Sequence, residues 1–200
     1  MGSNFASIHI FDPSLSVDQR AFSEDYLNKL HDVNLEYQKR IQMYCNNPSI
    51  FGICSENNLT ESVRESLKRE LLLQRNAVCF KRQNGFLSSF DDSFTFETIE
   101  KAARDISGLI SSPLLYASTY DDDIFLAGVY VCEKCLTQHV AGNLHCLKEY
   151  GLQRINADPN VLCNCFDVQN RASIERFCKQ RSAQKSQSTL EIALEICLDD

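Results

Sequence analysis

The chain has 200 residues, of which 44% are hydrophobic and 24% are charged, and its formal net charge is −7. This is the composition of an ordinary folded protein that is long enough to bury a core without metal or disulfide staples. The negative charge disfavours autonomous binding to DNA or RNA, because phosphate backbones are bound by clustered Lys and Arg. We therefore expect a folded protein that does not bind nucleic acid by itself.

Ten cysteines are the unusual feature of the composition. Residues 1–11 lack the basic and apolar regions of a secretory signal peptide, and no apolar run reaches the roughly 20 residues that a membrane span needs. We therefore expect an intracellular protein with reduced thiols and no membrane association.

Three segments in the first half of the chain have helical periodicity. After a leader over 1–19, apolar residues recur at intervals of three and four in 24–44, 60–83 and 94–110. In the last of these segments the spaced positions are Phe96, Ile99, Ala103, Ile106 and Ile110. Helices joined by short connections predict a helical bundle, which we assign as an A domain over 20–112.

The character of the sequence changes after residue 112. Residues 113–142 are interpreted as a linker or insertion, because they contain Pro113 and the acidic run 121–123. The dipeptides at 150–151 and 158–159 are typical of turns between short strands, which predicts a small β-rich B domain over 143–182 with a closing helix over 172–181. An alternative register starts this domain near residue 129. Residues 183–200 form a C-terminal tail, and the predicted fold class is α+β.

One cysteine pattern resembles a metal site. Cys132 and Cys135 form a CxxC pair, followed by His139 and Cys146, with His145 as an alternative to Cys146. Zinc takes four such ligands, but the second half of this pattern is irregular, and free thiols are the competing interpretation. The acidic run could hold a hard cation, although adjacent aspartates are usually solvated. We expect no cofactor and keep zinc as an alternative.

The sequence shows no catalytic signature. It has no P-loop, GxGxxG, GxSxG or HExxH motif. A redox CxxC would favour a βαβ context that the pattern does not show, and no local signature supports a Cys–His nucleophile pair. We expect a protein that is not an enzyme, with a thiol-dependent enzyme as the competing hypothesis.

Three stretches, in order, resemble subunits of the GINS family of the partner-of-Sld-five, number one, type. They are AFSEDYL at 21–27, LQRNAVC at 73–79 and CLKEYG at 146–151, and ASIERF at 172–177 lies where the closing helix of that family is expected. The sequence departs from the family at Ala77 and Val78, where basic residues are usual. The resemblance covers about residues 20–110 and 143–181.

The resemblance implies a non-catalytic scaffold of the replicative helicase, located in the nucleus. Its partners would be three other GINS subunits, the MCM helicase ring, Cdc-forty-five and DNA polymerase epsilon. Arg75, Asn76 and Cys79 would make the intersubunit contact, unless they are plain surface residues. The residues of the B-domain turn would be Leu147, Lys148, Tyr150 and Gly151. The alternative function is a zinc-stabilised intracellular protein-interaction module that uses Cys132 and Cys135.

Overall fold

The computed structural model describes residues 4–17, 78–91 and 94–199. The predicted first helix, 24–44, and most of the second lie outside the described residues. The described strands are β1 (Phe5–Phe11), β2 (Val78–Gln83), β3 (Phe86–Asp91), β4 (Leu114–Tyr120), β5 (Ile124–Val131) and β6 (Lys134–Gly142). The described helices are α1 (Ile99–Ser107), α2 (Leu144–Glu149), α3 (Pro159–Phe166), α4 (Arg171–Cys178) and α5 (Ala183–Leu194).

The six strands form one antiparallel sheet in the order β2-β3-β1-β4-β5-β6. The central strands β4 and β5 are buried along almost their whole length. Layers of helices cover both faces of the sheet, so alternate side chains are apolar on both sides and these strands read as continuous hydrophobic runs.

Helix α1 covers one face of the sheet. Its buried positions Ile99, Ala102, Ala103 and Ile106 follow the spacing of an amphipathic helix. They pack on β1, β4 and β5, and Leu147 of α2 joins the same core. We call this the α1 face.

The helices α3, α4 and α5 cover the opposite face. Phe125 and Val129 of β5 share a core there with Leu162, Phe177 and Leu190 of the three helices. Within the described part of the chain, no helix is long and apolar enough to cross a membrane.

The predicted fold class is wrong for the described residues. Instead of a helical bundle followed by a small β-rich domain, the chain forms a six-stranded sheet between helices. The end of the predicted second helix is β2, and the predicted linker, 113–142, supplies β4, β5 and β6. The segment predicted to be β-rich, 143–182, forms α2, α3 and α4, with an isolated bridge from Ile155 to Val140.

The errors have two physical causes. In strands that are covered on both faces, apolar and polar residues no longer alternate. The two-residue repeat that identifies a half-buried strand is therefore missing from β4 and β5. In addition, Asp158-Pro159 begins a helix rather than a turn between strands. The Asp158 side chain accepts a hydrogen bond from the Asn160 amide at 2.8 Å, and Pro159 occupies the first helical position. The segments 94–110 and 172–181 do contain the helices α1 and α4, as predicted.

Candidate functional site

Three aromatic rings cluster at the surface where β4 ends. The ring centroids of Phe96 and Tyr120 are 5.4 Å apart, those of Phe96 and Tyr150 are 5.6 Å apart, and those of Tyr120 and Tyr150 are 5.1 Å apart. Tyr150 is 41% exposed, while Phe96 and Tyr120 are half-buried against the core of the α1 face. One side of the cluster therefore packs on the core, and Tyr150 is exposed to solvent.

Three separate elements bring these rings together. Phe96 lies just before α1, Tyr120 ends β4, and Tyr150 directly follows α2. Helix α2 reaches the cluster because Gly142 has a φ of +150°, and a Cβ at that position would lie 2.1 Å from the carbonyl oxygen of Asp123. Only glycine therefore lets β6 turn into α2 so close to the β4–β5 turn.

Five carboxylates lie within three residues of Phe96, Tyr120 or Tyr150 in the sequence. They are Glu97, Asp121, Asp122, Asp123 and Glu149, and together with Phe96, Tyr120 and Tyr150 they define what we call the acidic aromatic surface. A hydrogen bond with Tyr120, burial and the charges of Tyr120, Glu149 and Glu97 raise the pKa of Tyr150 to about 12. Burial and the charges of Asp123 and Glu149 raise the pKa of the neighbouring Cys146 thiol. The charges of Glu97, Asp123 and Glu149 therefore act on groups of this cluster.

Hydrogen bonds donated by backbone amides hold the β4–β5 turn in place. The Asp121 amide donates to Asn4 Oδ1 at 2.6 Å, and the Asp123 amide donates to the Tyr120 carbonyl at 3.0 Å. The Asn143 amide donates to the Asp123 carbonyl at 2.8 Å, which ties the turn to the start of α2. The acidic run is thus fixed between β1 and α2.

The structure places the predicted B-domain turn on and after α2. Leu147 is buried in the core of the α1 face, Lys148 is exposed, and Gly151 has a φ of +66°. Of these residues, Tyr150 belongs to the acidic aromatic surface. Of the predicted intersubunit residues, Arg75 and Asn76 lie outside the described residues, and Cys79 is exposed on β2.

The predicted zinc candidates are not brought together. Cys132 lies in the β5–β6 turn, Cys135 lies on β6 on the α1 face, and His139 lies on the opposite face of the same strand. Cys146 lies on α2, beyond the far end of β6. Because a strand rises about 3.3 Å per residue, Cys135 and Gly142 are roughly 20 Å apart. These four side chains do not converge on one metal position.

A different group of potential ligands lies at the C-terminus. One ligand atom each from Glu191, Cys197 and Asp199 lies within 4.8 Å of the others. Burial and the charge of Asp199 raise the pKa of both Glu191 and Cys197. The groups are already engaged, since Asp199 accepts a hydrogen bond from the Gln187 amide at 3.2 Å and Glu191 accepts one from the Leu198 amide at 3.2 Å. These hydrogen bonds hold the residues after α5 against that helix. The group does not by itself define a metal site.

A partly buried polar network joins α1 to β5 and β6. The Tyr130 hydroxyl donates to Glu100 Oε1 at 3.0 Å, and the Gln138 amide donates to the Tyr116 hydroxyl at 2.8 Å. Burial, followed by the charge of Glu100, raises the pKa of both phenols. The phenols therefore stay protonated at neutral pH, and the network is suited to holding α1 on the sheet rather than to proton transfer.

Several thiols have the opposite character to catalytic nucleophiles. Burial is the main cause that raises the pKa of Cys135, Cys165 and Cys197, and it raises that of Cys178 to about 11. A thiol of raised pKa is protonated at neutral pH, whereas a reactive cysteine needs a lowered pKa. These residues do not favour thiol-dependent chemistry.

Sequence reasoning found only part of the acidic aromatic surface. It identified Tyr150 as a turn residue and considered the acidic run as a cation site, but it interpreted Phe96 as a core position of a helix. The available signal was the position of Tyr120, an aromatic residue directly before three aspartates. The pairing of β4 with β5 and the turn of β6 into α2 are long-range features that local patterns did not predict.

No family model, curated protein or solved structure matches this chain. The function is therefore inferred from the geometry of the described residues and from the motifs in the sequence.

Proposed function

We propose that this chain is a non-catalytic protein-interaction domain and that the acidic aromatic surface binds its partner. The observation that carries this proposal is the half-exposed cluster of Phe96, Tyr120 and Tyr150. Tyrosine and phenylalanine are enriched at protein interfaces, and tyrosine is frequent among the residues that dominate binding energy.

The geometry also supports a preorganised surface. The hydrogen bond between the Tyr120 and Tyr150 hydroxyls and the fixed β4–β5 turn hold the rings and the acidic run in place. Binding then costs little conformational entropy, because few side chains must be ordered. The protonated thiols and phenols described above agree with a role in binding rather than in catalysis.

The test compares two exposed apolar side chains on opposite layers of the fold. Tyr150 lies on the acidic aromatic surface, and Ile192, which is 70% exposed, lies on α5. In quantitative affinity capture with the full chain, we expect proteins that bind the wild type and Ile192→Ala to be lost from Tyr150→Ala. Thermal unfolding of both variants checks that each is folded. Equal capture by a folded Tyr150→Ala protein would contradict the proposal.

The scaffold subunit of GINS is a narrower candidate of the same class. What supports it is the resemblance of the sequence motifs, of which CLKEYG lies on and after α2 rather than at the start of a β-rich domain. Under this proposal the protein is nuclear and its partners are the three other GINS subunits, the MCM helicase ring, Cdc-forty-five and DNA polymerase epsilon. Co-expression with the three subunits tests it, and Arg75→Ala is expected to reduce recovery of the complex. Failure to recover any complex with the wild-type chain would exclude this candidate and leave the broader proposal intact.

A further inference from the structure

The charge around the aromatic rings indicates which chemistry a partner must offer. Five carboxylates lie on or beside the cluster, and they come from three places: the segment before α1, the β4–β5 turn and the end of α2. The cationic side chains of α2 are Lys148 and, when protonated, His145, whose Nε2 is 3.4 Å from Glu149 Oε1. Lys101 of α1 lies four residues after Glu97, and with this residue included the five carboxylates still outnumber these described cations, in a chain whose formal net charge is −7.

We propose that the acidic aromatic surface binds an arginine side chain within a positively charged segment of a partner protein. This inference rests on the proposed function and adds the chemical class of the partner. A guanidinium is planar, so it can stack on the exposed ring of Tyr150 while its N–H groups bind carboxylates of the rim. A lysine ammonium matches the charge but not this geometry.

The phenol of Tyr150 is suited to this role. Its pKa of about 12 keeps the ring neutral, its hydroxyl is hydrogen-bonded to Tyr120, and the residue is 41% exposed. The negative charges of Glu149 and Glu97 act on the same hydroxyl. The two carboxylates would therefore also attract a cation that stacks on the Tyr150 ring.

The β4–β5 turn allows a charge test with a matched control. Asp121 and Asp122 have φ values of 50° and 59°, in the left-handed region that Asn tolerates as well as Asp. Asp121→Asn with Asp122→Asn therefore removes two charges without straining the turn. Asp167, which ends α3 in the other layer, has a φ of 49°, so Asp167→Asn removes one charge in the same backbone conformation away from the surface.

The experiment measures fluorescence anisotropy of a short labelled arginine-rich peptide with the full chain, beside peptides in which lysine or the neutral citrulline replaces arginine. We expect the arginine peptide to bind most tightly. The Asp121→Asn, Asp122→Asn double variant is expected to weaken its binding about tenfold and to reduce its salt dependence. Tyr150→Ala is expected to weaken it about fivefold, and Asp167→Asn to leave it unchanged.

Three results would overturn the inference. Equal binding of the arginine and citrulline peptides would show that charge is not recognised, and equal binding of the lysine peptide would exclude stacking of a guanidinium. A loss of binding in Asp167→Asn as large as in the double variant would show that peptide binding depends on the net charge of the chain and not on the acidic aromatic surface. If protein capture still depends on Tyr150 in these cases, the interaction domain stands with a partner of different chemistry. If capture does not depend on Tyr150, the proposed function itself fails.

Discussion

At the scale of single residues, the packing of Tyr116 across Gly128 shapes the α1 face. Gly128 lies between Tyr116 on β4 and Gln138 on β6 in the sheet register. A Cβ at Gly128 would lie 2.4 Å from Tyr116 Cε1 and 2.9 Å from its hydroxyl oxygen. The fully buried ring crosses the glycine to reach the Gln138 amide, so it has no room to move aside.

Gly128→Ala is therefore expected to destabilise the fold by about 1–3 kcal/mol, the usual cost of overpacking a core. Gly108→Ala is the control. Its Cβ would meet Glu133 Oε1 at 2.4 Å, but that atom ends a flexible, exposed side chain that can rotate away. Urea unfolding of both variants measures the difference, and equal free energies of unfolding would show that the Tyr116 ring is not confined.

Some residue-scale features were accessible from the sequence. Tyr150 was named as a turn residue, and Ile99, Ala103 and Ile106 were correctly placed on the buried side of a helix. Asp158-Pro159 was misread because the same dipeptide starts turns and helices, and only the contacts of Asp158 with the Asn160 amide decide between them.

At the scale of elements, two hairpin turns differ in how well their residue types suit the positive φ angles of the turn. The β2–β3 turn uses Asn84 and Gly85, which both have positive φ and form the pair most favoured in a two-residue hairpin turn. The β5–β6 turn places Cys132 and Glu133 at φ values of 47° and 65°, which are unfavourable for both residue types. The second turn is thus held by its surroundings, including the hydrogen bond from the Glu133 amide to Ser107 Oγ at 2.9 Å.

Glu133→Gly is expected to stabilise the protein by about 0.5–1 kcal/mol, because glycine adopts positive φ without steric cost and the amide hydrogen bond is kept. The neighbouring exposed residue Lys134 lies in extended β6, where the same change to glycine is expected to destabilise. Thermal unfolding of the two variants measures both effects. A loss of stability in Glu133→Gly would contradict this account of the turn.

The Asn-Gly pair also shows what sequence reasoning missed at this scale. Asn84-Gly85 between Val78–Gln83 and Phe86–Asp91 is a strong hairpin signal, yet the apolar periodicity predicts a helix over 60–83, directly before this pair. The apolar spacing that continued from the preceding segment outweighed the turn signal. Pairing of β3 with β1, which lies more than sixty residues earlier in the chain, is a long-range contact that no local pattern contains.

At the scale of the whole molecule, two buried histidines lie beneath the C-terminal helices. His9 is hydrogen-bonded through its two ring nitrogens to Ser7 and Ser88, each at 2.8 Å, and burial lowers its pKa to about 3. His139 is 3.3 Å from Ser186 of α5, and burial lowers its pKa to about 4. Both are neutral in the folded state at pH values where an unfolded histidine is already protonated.

The protein is therefore expected to lose stability between about pH 6.5 and pH 4, since the unfolded state binds protons in this range and the folded state does not. Each histidine contributes a loss of about 2 kcal/mol between pH 7.5 and pH 5. His139→Gln is expected to remove one such contribution from the pH dependence, measured by urea unfolding at both pH values. His145→Gln, at a side chain that is 81% exposed, is the control. An unchanged pH dependence in His139→Gln would show that this residue is not protonated on unfolding.

The overall architecture was the least predictable level. Composition indicates a folded chain, but the division into a helical and a β-rich part places the central strands β4 and β5 in the predicted linker, 113–142. A sheet that is covered on both faces removes the alternation on which strand assignment depends, and the acidic aromatic surface exists only because this sheet brings Phe96, Tyr120 and Tyr150 together.

The most direct test of the interaction surface is site-specific photocrosslinking in the full-length protein. A photoreactive side chain is placed at Tyr150 or, for comparison, at Ile192 on the opposite layer. The account predicts that position 150 crosslinks to a partner protein, that Asp121→Asn with Asp122→Asn reduces the yield, and that position 192 does not crosslink to that partner. Crosslinking of the same partner at position 192 but not at position 150 would contradict the claim that the acidic aromatic surface is the binding site.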